Sequence, residues 1–307
     1  MTQILKKLTT CFCLSLLLFV NQITAQSKTS DDATKNSYFK GSLSYSSNSV
    51  YNGRKDSLTT PYITPNLGYY DKSGFYANSS LSYLTSSTEK RIDLFAIEAG
   101  YDFDISSQFS GSIYGDKNFY NKSSTNIKSD ISGSLGGNLS YDLDILQVNA
   151  GADVLFANKT DIALNGGIAH AFYIGEDDNQ WTITPTATTH LSTLNFYQGY
   201  TNRRAGKNAK APNGSTITTS TVVTNRSTGL TLLDYELSLP ISYDAKSWGF
   251  SLTPTLALPT NPIYTSTIVT LKSRVGTTVL QTQNSTPISE TNLNSVFYVE
   301  LMVYFKF

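Results

Sequence analysis

The residues of this 307-residue chain with the most scope for chemistry are a histidine, a serine and five carboxylates. His190 and Ser192 stand two apart in Thr-His-Leu-Ser, which in an extended strand puts both on one face, where an imidazole can activate a hydroxyl. Glu98, Asp116, Asp153, Glu236 and Glu300 each fall on the polar row of an alternating segment, at comparable distances from the nearest tight turn. If those rows line a wet interior, the five form an acidic belt with no Lys or Arg on its level, which favours cations and disfavours anions. In the alternative account they bond to Tyr76, Tyr114, Tyr298 and Tyr304, or to basic loop residues folded into the mouth of a narrow barrel. Lys40, Lys128 and Lys306 are expected nearer the two ends. His170 falls on the opposite register beside Phe172, as an interfacial residue. With two histidines, neither paired with spaced carboxylates, no metal site is expected. Gly133, Gly136 and Gly137 are strand glycines with no helix after them, so they make no phosphate loop. No catalytic residue and no cofactor is assigned.

The elements that would position these groups are strands. In Val296 to Phe307 (VFYVELMVYFKF), Phe297, Val299, Leu301, Val303, Phe305 and Phe307 form one apolar row. Tyr298, Glu300, Met302, Tyr304 and Lys306 form a mixed polar row. That is period two, and at a tilt near 40° such a strand rises roughly 28 Å, the height of an outer-membrane apolar band. Apolar residues recur at two along the chain and not at three and four, which excludes a helical protein.

Composition agrees. Hydrophobic residues make up only 39%, yet aromatics reach 12%, 20 of them Tyr, with few charges. Strands that face lipid and water alternately require such a mixture. Met1 to Ala25 has basic Lys6 and Lys7, an apolar centre and a small-residue end, and reads as a signal peptide. Both cysteines, Cys11 and Cys13, lie within it, so disulfides and thiol chemistry are not expected in the mature chain. Without Lys6 and Lys7 the chain carries 21 basic against 23 acidic residues, and nucleic acid is not an expected partner. Residues 26–36 read as a flexible periplasmic tail.

From Tyr38 onward, alternating segments are separated by polar breaks. Five breaks are short and flanked by aromatics: Asp71 to Gly74, Asp104 to Gln108, Asp142 to Asp144, Gly175 to Gln180 and Asp244 to Ser247. Aromatic shoulders suit the headgroup level of a membrane, so these are read as periplasmic turns. Six more variable breaks are read as extracellular loops: Ser46 to Thr60, Ser86 to Lys90, Asn121 to Asn126, Ala157 to Thr160, Gly199 to Thr228 and Ser266 to Asn292. Together they join twelve strands. Strand six is drawn from Ile127, with Ile127, Ile131, Leu135 and Leu139 outward. Strand ten has Leu233, Tyr235, Leu237, Leu239 and Ile241 outward. Adjacent Leu94 and Phe95 suggest a bulge in strand four. Pro65, Pro185, Pro240 and Pro254 each remove a ladder bond, so bulges or shorter strands are expected there.

Alternation, aromatic shoulders and the terminal Tyr-Phe-Lys-Phe together resemble the porin-like outer-membrane β-barrels of Gram-negative bacteria. Val50 to Arg54 (VYNGR) is similar to the opening of barrel families with no assigned chemistry. The resemblance implies an all-β fold: one antiparallel transmembrane β-barrel over 37–307 with short periplasmic turns and longer extracellular loops. It implies an outer-membrane channel for passive diffusion of small hydrophilic solutes, cations among them, with the 199–228 loop as a candidate constriction. The partners implied are outer-membrane lipids, the solutes, and the barrel-assembly machinery acting through the strand that ends at Phe307. The alternatives are a closed structural or surface-binding barrel that uses its long loops, and a lipid-modifying enzyme. His-x-Ser spacing is similar to that of outer-membrane phospholipase A. Catalysis there needs the pair on the lipid side, whereas Trp181 and Ile183 set the outward register to odd numbers and turn His190 and Ser192 inward.

Overall fold

The computed structural model describes residues 36–55, 58–87, 89–176, 178–196, 216–224, 229–261, 264–273, 276–280 and 294–307. The expected signal peptide, most of the expected tail and much of the 199–228 loop lie outside them. Twelve strands close on themselves. They are β1 (Tyr38–Ser46), β2 (Tyr62–Tyr70), β3 (Phe75–Thr85), β4 (Lys90–Asp104), β5 (Phe109–Tyr120), β6 (Gly133–Asp142) and β7 (Gln147–Phe156). Then come β8 (Asp161–Ala169 and Phe172–Glu176), β9 (Asn179–Ile183 and Thr186–Ser192), β10 (Thr231–Ser238 and Ile241–Ala245), β11 (Trp248–Pro259) and β12 (Val296–Lys306).

Each strand pairs antiparallel with its neighbours in the chain, and β12 returns to β1 from Lys40↔Lys306 to Ser46↔Glu300. Phe39 and Phe307 exchange backbone hydrogen bonds of 2.8 and 2.9 Å at that seam. Among the described residues the ring closes through the β12–β1 seam, as strands that sit in hydrocarbon require, and of its strands only Phe172–Glu176 pairs on a single side, with Asn179–Ile183.

The two faces are inverted relative to a water-soluble protein. Leu43, Leu67, Ile97, Ile113, Leu135, Phe297, Leu301 and Phe305 all stand exposed on the outside. The buried residues are polar or charged more often than hydrophobic, 21 against 14 among the described residues. Each exposed aliphatic side chain forgoes about 1.5–3 kcal/mol of burial in water, and a hydrocarbon surround removes that cost. The fold is a closed antiparallel β-barrel of twelve strands with an apolar outer surface. At the end with the tight turns, Trp181 and Trp248 pack on Tyr243 with ring centroids 5.2 and 5.5 Å apart, and Tyr38 stacks on Tyr70 at 5.1 Å.

Three sequence readings need correction. Strand six begins at Gly133, not Ile127. Residues 121–132 fold inward instead, and Ile127 and Ile131 are buried. Apolar residues tucked inside a barrel mouth produce the same alternation as lipid-facing ones, so the pattern alone misassigned them. At two of the prolines the expected shortening of strands is seen, without the alternative bulge. β8, β9 and β10 are each interrupted, β9 at Pro185 and β10 at Pro240, yet the register on either side is unchanged. The carbonyls of three of the four prolines still accept ladder bonds: Pro185 from His170, Pro240 from Thr184 and Pro254 from Leu239. A missing N–H therefore weakens the ladder locally without inserting a residue.

The register shifts lie elsewhere. Ser82↔Leu94 is followed by Tyr83↔Ile92, which leaves Asp93 extra, one residue from the Leu94–Phe95 position expected to bulge. His190↔Asp234 is followed by Leu191↔Leu232, which leaves Leu233 extra and turns it inward, against its expected outward place. Both extra residues end fully buried. Thirdly, two stretches read as polar loops contain strands: Thr216–Thr224 pairs with Tyr264–Ser273, which pairs with Gly276–Leu280. Their Thr and Val content, which suggested loop polarity, is also β-branched and favours strands.

Candidate functional site: the barrel interior

The interior is built from the inward row of each strand and two segments that enter from the end opposite the tight turns. Glu98 on β4 and Asp116 on β5 are direct ladder partners, so two carboxylates face each other. Asp116 accepts from Ser134 and Asn118, and Glu98 from Tyr76 and Asn78. Asp153 on β7 accepts from Tyr114 at 2.6 Å. Across the barrel, Glu236 on β10 is buried and accepts from Tyr298 at 3.3 Å, while Glu300 on β12 lies opposite Ser46 and Thr253. The five carboxylates thus fall into two groups, one on β4, β5 and β7 and one on β10 and β12.

Lys128 lies between the groups. It enters on residues 121–132, is half-buried, and feels the charges of both Asp116 and Glu300. Its Nζ sits 5.4 Å from the ring centre of Tyr51. This corrects the expectation that no base reaches the acidic belt. Lys128 was assigned to an outer strand end, and only the inward fold of its segment carries it to the carboxylates. Asn66, Asn78, Glu98, Asp116, Asn118 and Lys128 line a cavity of about 270 Å³, large enough for several waters.

Two devices hold the inward segments. The first is a hairpin, Val50–Tyr51 paired with Arg54–Lys55, whose Asn52 and Gly53 have φ of 49° and 70°. Positive φ at both corners is the type I′ turn that Asn-Gly favours. A Cβ on Gly53 would lie 2.7 Å from Cβ of Asp234, so only glycine permits the tip to rest on β10. Arg54 is buried and donates to the carbonyls of Asn52, Leu233, Thr260 and Asn261 at 2.8 to 3.2 Å. The second is the bulge at Asp93, which accepts from Tyr62 at 2.5 Å, from Arg91 at 2.7 Å and from Ser124 of the inward segment at 2.7 Å. Between them Ile127, Ile131, Leu155, Leu194, Phe196 and Leu233 form an apolar cluster, with the Tyr51 ring set edge-on to Phe196 at 5.4 Å. Asp161, fully buried, accepts from the backbone N–H groups of Asn195 and Phe196 at 2.8 and 2.7 Å and fixes the chain where it leaves β9.

His190 and Ser192 are both buried on the inner side of β9. Ser192 Oγ donates to the Thr193 carbonyl at 2.6 Å. His190 Nδ1 is 2.5 Å from Asp234 Oδ1, and Glu236 joins them, with ligand-capable atoms of all three within 4.8 Å of one another. The sequence reading left His190 without carboxylate partners, and Asp234 overturns it. Asp234 is 44 residues away and directly opposite in the ladder, and its recognisable signal was inward parity with Glu236. His170, between the two parts of β8, packs edge-on to Phe172 at 4.4 Å. The residues that sequence reasoning missed (Arg54, Asp93, Asp161 and Asp234) are single polar groups in apolar or irregular surroundings. For Arg54 the local hint was the Asn-Gly pair before it.

No protein-family model matches the chain, and no curated protein matches it. Among solved structures it is similar to the KdgM porin, at 11% identity over 87% of this chain and 99% of that one, with a TM-score of 0.41. It is similar to the NanC porin, at 11% identity over 88% and 100%, with a TM-score of 0.43. It is likewise similar to LpxR from Salmonella typhimurium, at 9% over 87% and 100%, with a TM-score of 0.43. These values concern the course of the backbone and say nothing of the interior side chains.

Proposed function

We propose that the chain spans an outer membrane and passes small hydrophilic solutes, cations among them, through a narrow lumen throttled at one mouth. The observation that carries this reading is the cavity of about 270 Å³ walled by Glu98, Asp116, Asn66, Asn78 and Asn118 inside a barrel whose outside is apolar. Carboxylates facing a wet path attract cations, and Lys128 at the same place sets the size of that preference. Outer-membrane lipids surround the apolar belt, and the barrel-assembly machinery takes the chain through β12, whose outer row ends at the exposed Phe307. The tight turns face the periplasm, and the mouth holding the hairpin and residues 121–132 faces outward.

The second reading is a barrel that stays shut and works through its outer loops; the packed cluster of Ile127, Ile131, Leu194, Phe196 and Leu233 at the mouth favours it. Conductance of the purified protein in planar bilayers separates the two. The channel reading expects small discrete steps that grow when residues 121–132 are replaced by a short Gly-Ser linker. Silence in both proteins, with folded barrels present, overturns it and leaves the shut barrel.

A further inference from the structure

Where β9 and β10 face each other under the tip of the 50–55 hairpin, the barrel wall gathers one imidazole and two carboxylates. His190 and Asp234 are ladder partners, and Glu236 follows two residues along β10 on the same face. All three are buried, at 5%, 0% and 1% exposure. Asp234 Oδ1 meets His190 Nδ1 at 2.5 Å, but Asp234 Oδ2 is buried and no N–H or hydroxyl donor reaches it. A carboxylate oxygen withdrawn from water and left without a donor is costly, and native structures seldom tolerate one. Two buried carboxylates side by side against one imidazole need either a shared proton or a cation between them. Tyr298 supplies Glu236 with a neutral donor, which does not remove that need.

We propose that His190, Asp234 and Glu236 hold a divalent transition-metal ion of the Zn²⁺ type. The ion takes the place of that shared proton and gives Asp234 Oδ2 a partner. One nitrogen and two carboxylates suit zinc and its first-row neighbours, whereas Ca²⁺ and Mg²⁺ take oxygen ligands. Zinc bonds of about 2.0–2.2 Å place ligand atoms roughly 3.3 Å apart. The present atoms span 2.5 to 4.8 Å, so ordinary rotamer adjustments reach that geometry. Three protein ligands leave a fourth position for water. The ion ties β9 to β10 beside the Leu233 bulge, beneath the hairpin whose Gly53 rests on Asp234. It therefore braces the wall against which the inward hairpin docks.

The test uses the full mature barrel in detergent, stripped with EDTA and dialysed against ZnCl₂, with metal counted per folded chain. About one Zn²⁺ per chain is expected, and Co²⁺ in its place should show the intense visible bands of a four-coordinate site. His190→Ala, Asp234→Asn and Glu236→Gln should each weaken Zn²⁺ binding by at least about tenfold, while His170→Ala leaves it unchanged. Where a variant fails to fold, the wild-type stoichiometry and Co²⁺ spectrum decide by themselves. Substoichiometric zinc in the folded wild type, an octahedral aquo-like Co²⁺ spectrum, uptake that follows His170, or equal competition by Ca²⁺ or Mg²⁺ would each overturn the proposal.

Discussion

The wall from β4 to β7 and the wall from β8 to β10 are made of the same kind of strand and treat their carboxylates differently. In the first, ladders from β5 to β7 run without a break; Glu98, Asp116 and Asp153 stay half-buried with hydroxyl and amide partners, and Glu98 and Asp116 line a cavity. In the second, strands are interrupted, β10 carries a bulge, and Asp234 and Glu236 are sealed off. The difference comes from what enters the barrel. The hairpin and the cluster around Phe196 press against β9 and β10, while a polar space remains on the other side. One wall is thereby free to contact solute and the other serves as a seat for the mouth segments.

Attacking the seat should show the largest effects. Asp93→Ala removes the acceptor shared by Tyr62, Arg91 and Ser124. It should cost about 3–5 kcal/mol in reversible urea unfolding and raise conductance as residues 121–132 come loose. Leu233→Ala takes a fully buried side chain from the mouth cluster and should cost about 2–4 kcal/mol in the same assay. A loss under 1 kcal/mol for both would mean the mouth segments are not seated as described.

On the open wall stability should hardly change and permeation should. Glu98→Gln with Asp116→Asn is expected to reduce cation preference several-fold, read from reversal potentials in a salt gradient, and Lys128→Met to increase it. Unchanged reversal potentials in both would remove the cavity from the solute path.

The smallest effect lies outside both walls. Hydrogen bonds from Ser73, Ser37 and Tyr69 hold the Asp71 carboxyl well below the usual carboxylate range. A depressed folded value stabilises above the unfolded pKa near 4, and that contribution fades as pH falls through the folded value. Asp71→Asn should flatten that acid-side slope of stability, and an identical pH profile would show the turn to be energetically idle.

What could be read along the chain was local. Period two in VFYVELMVYFKF and the aromatic pairs around Asp71–Gly74 and Asp244–Ser247 marked strands and turns, because each depends on residues within a few positions. Inward parity for His190 followed from Trp181 in the same way. Ile127 and Lys128 were misplaced because an apolar or basic residue carries no label for lipid, lumen or loop. Its side is chosen by the bulge at Asp93 and the bond to Ser124, which join distant positions.

By itself, then, the sequence determined a barrel of alternating strands, since a two-residue repeat obliges opposite faces to meet opposite solvents. Tertiary structure alone decided that the mouth is filled, that Lys128 stands among the carboxylates and that Asp234 meets His190. Those are encounters between residues far apart in the chain, and closing the ring of strands is what brings them together.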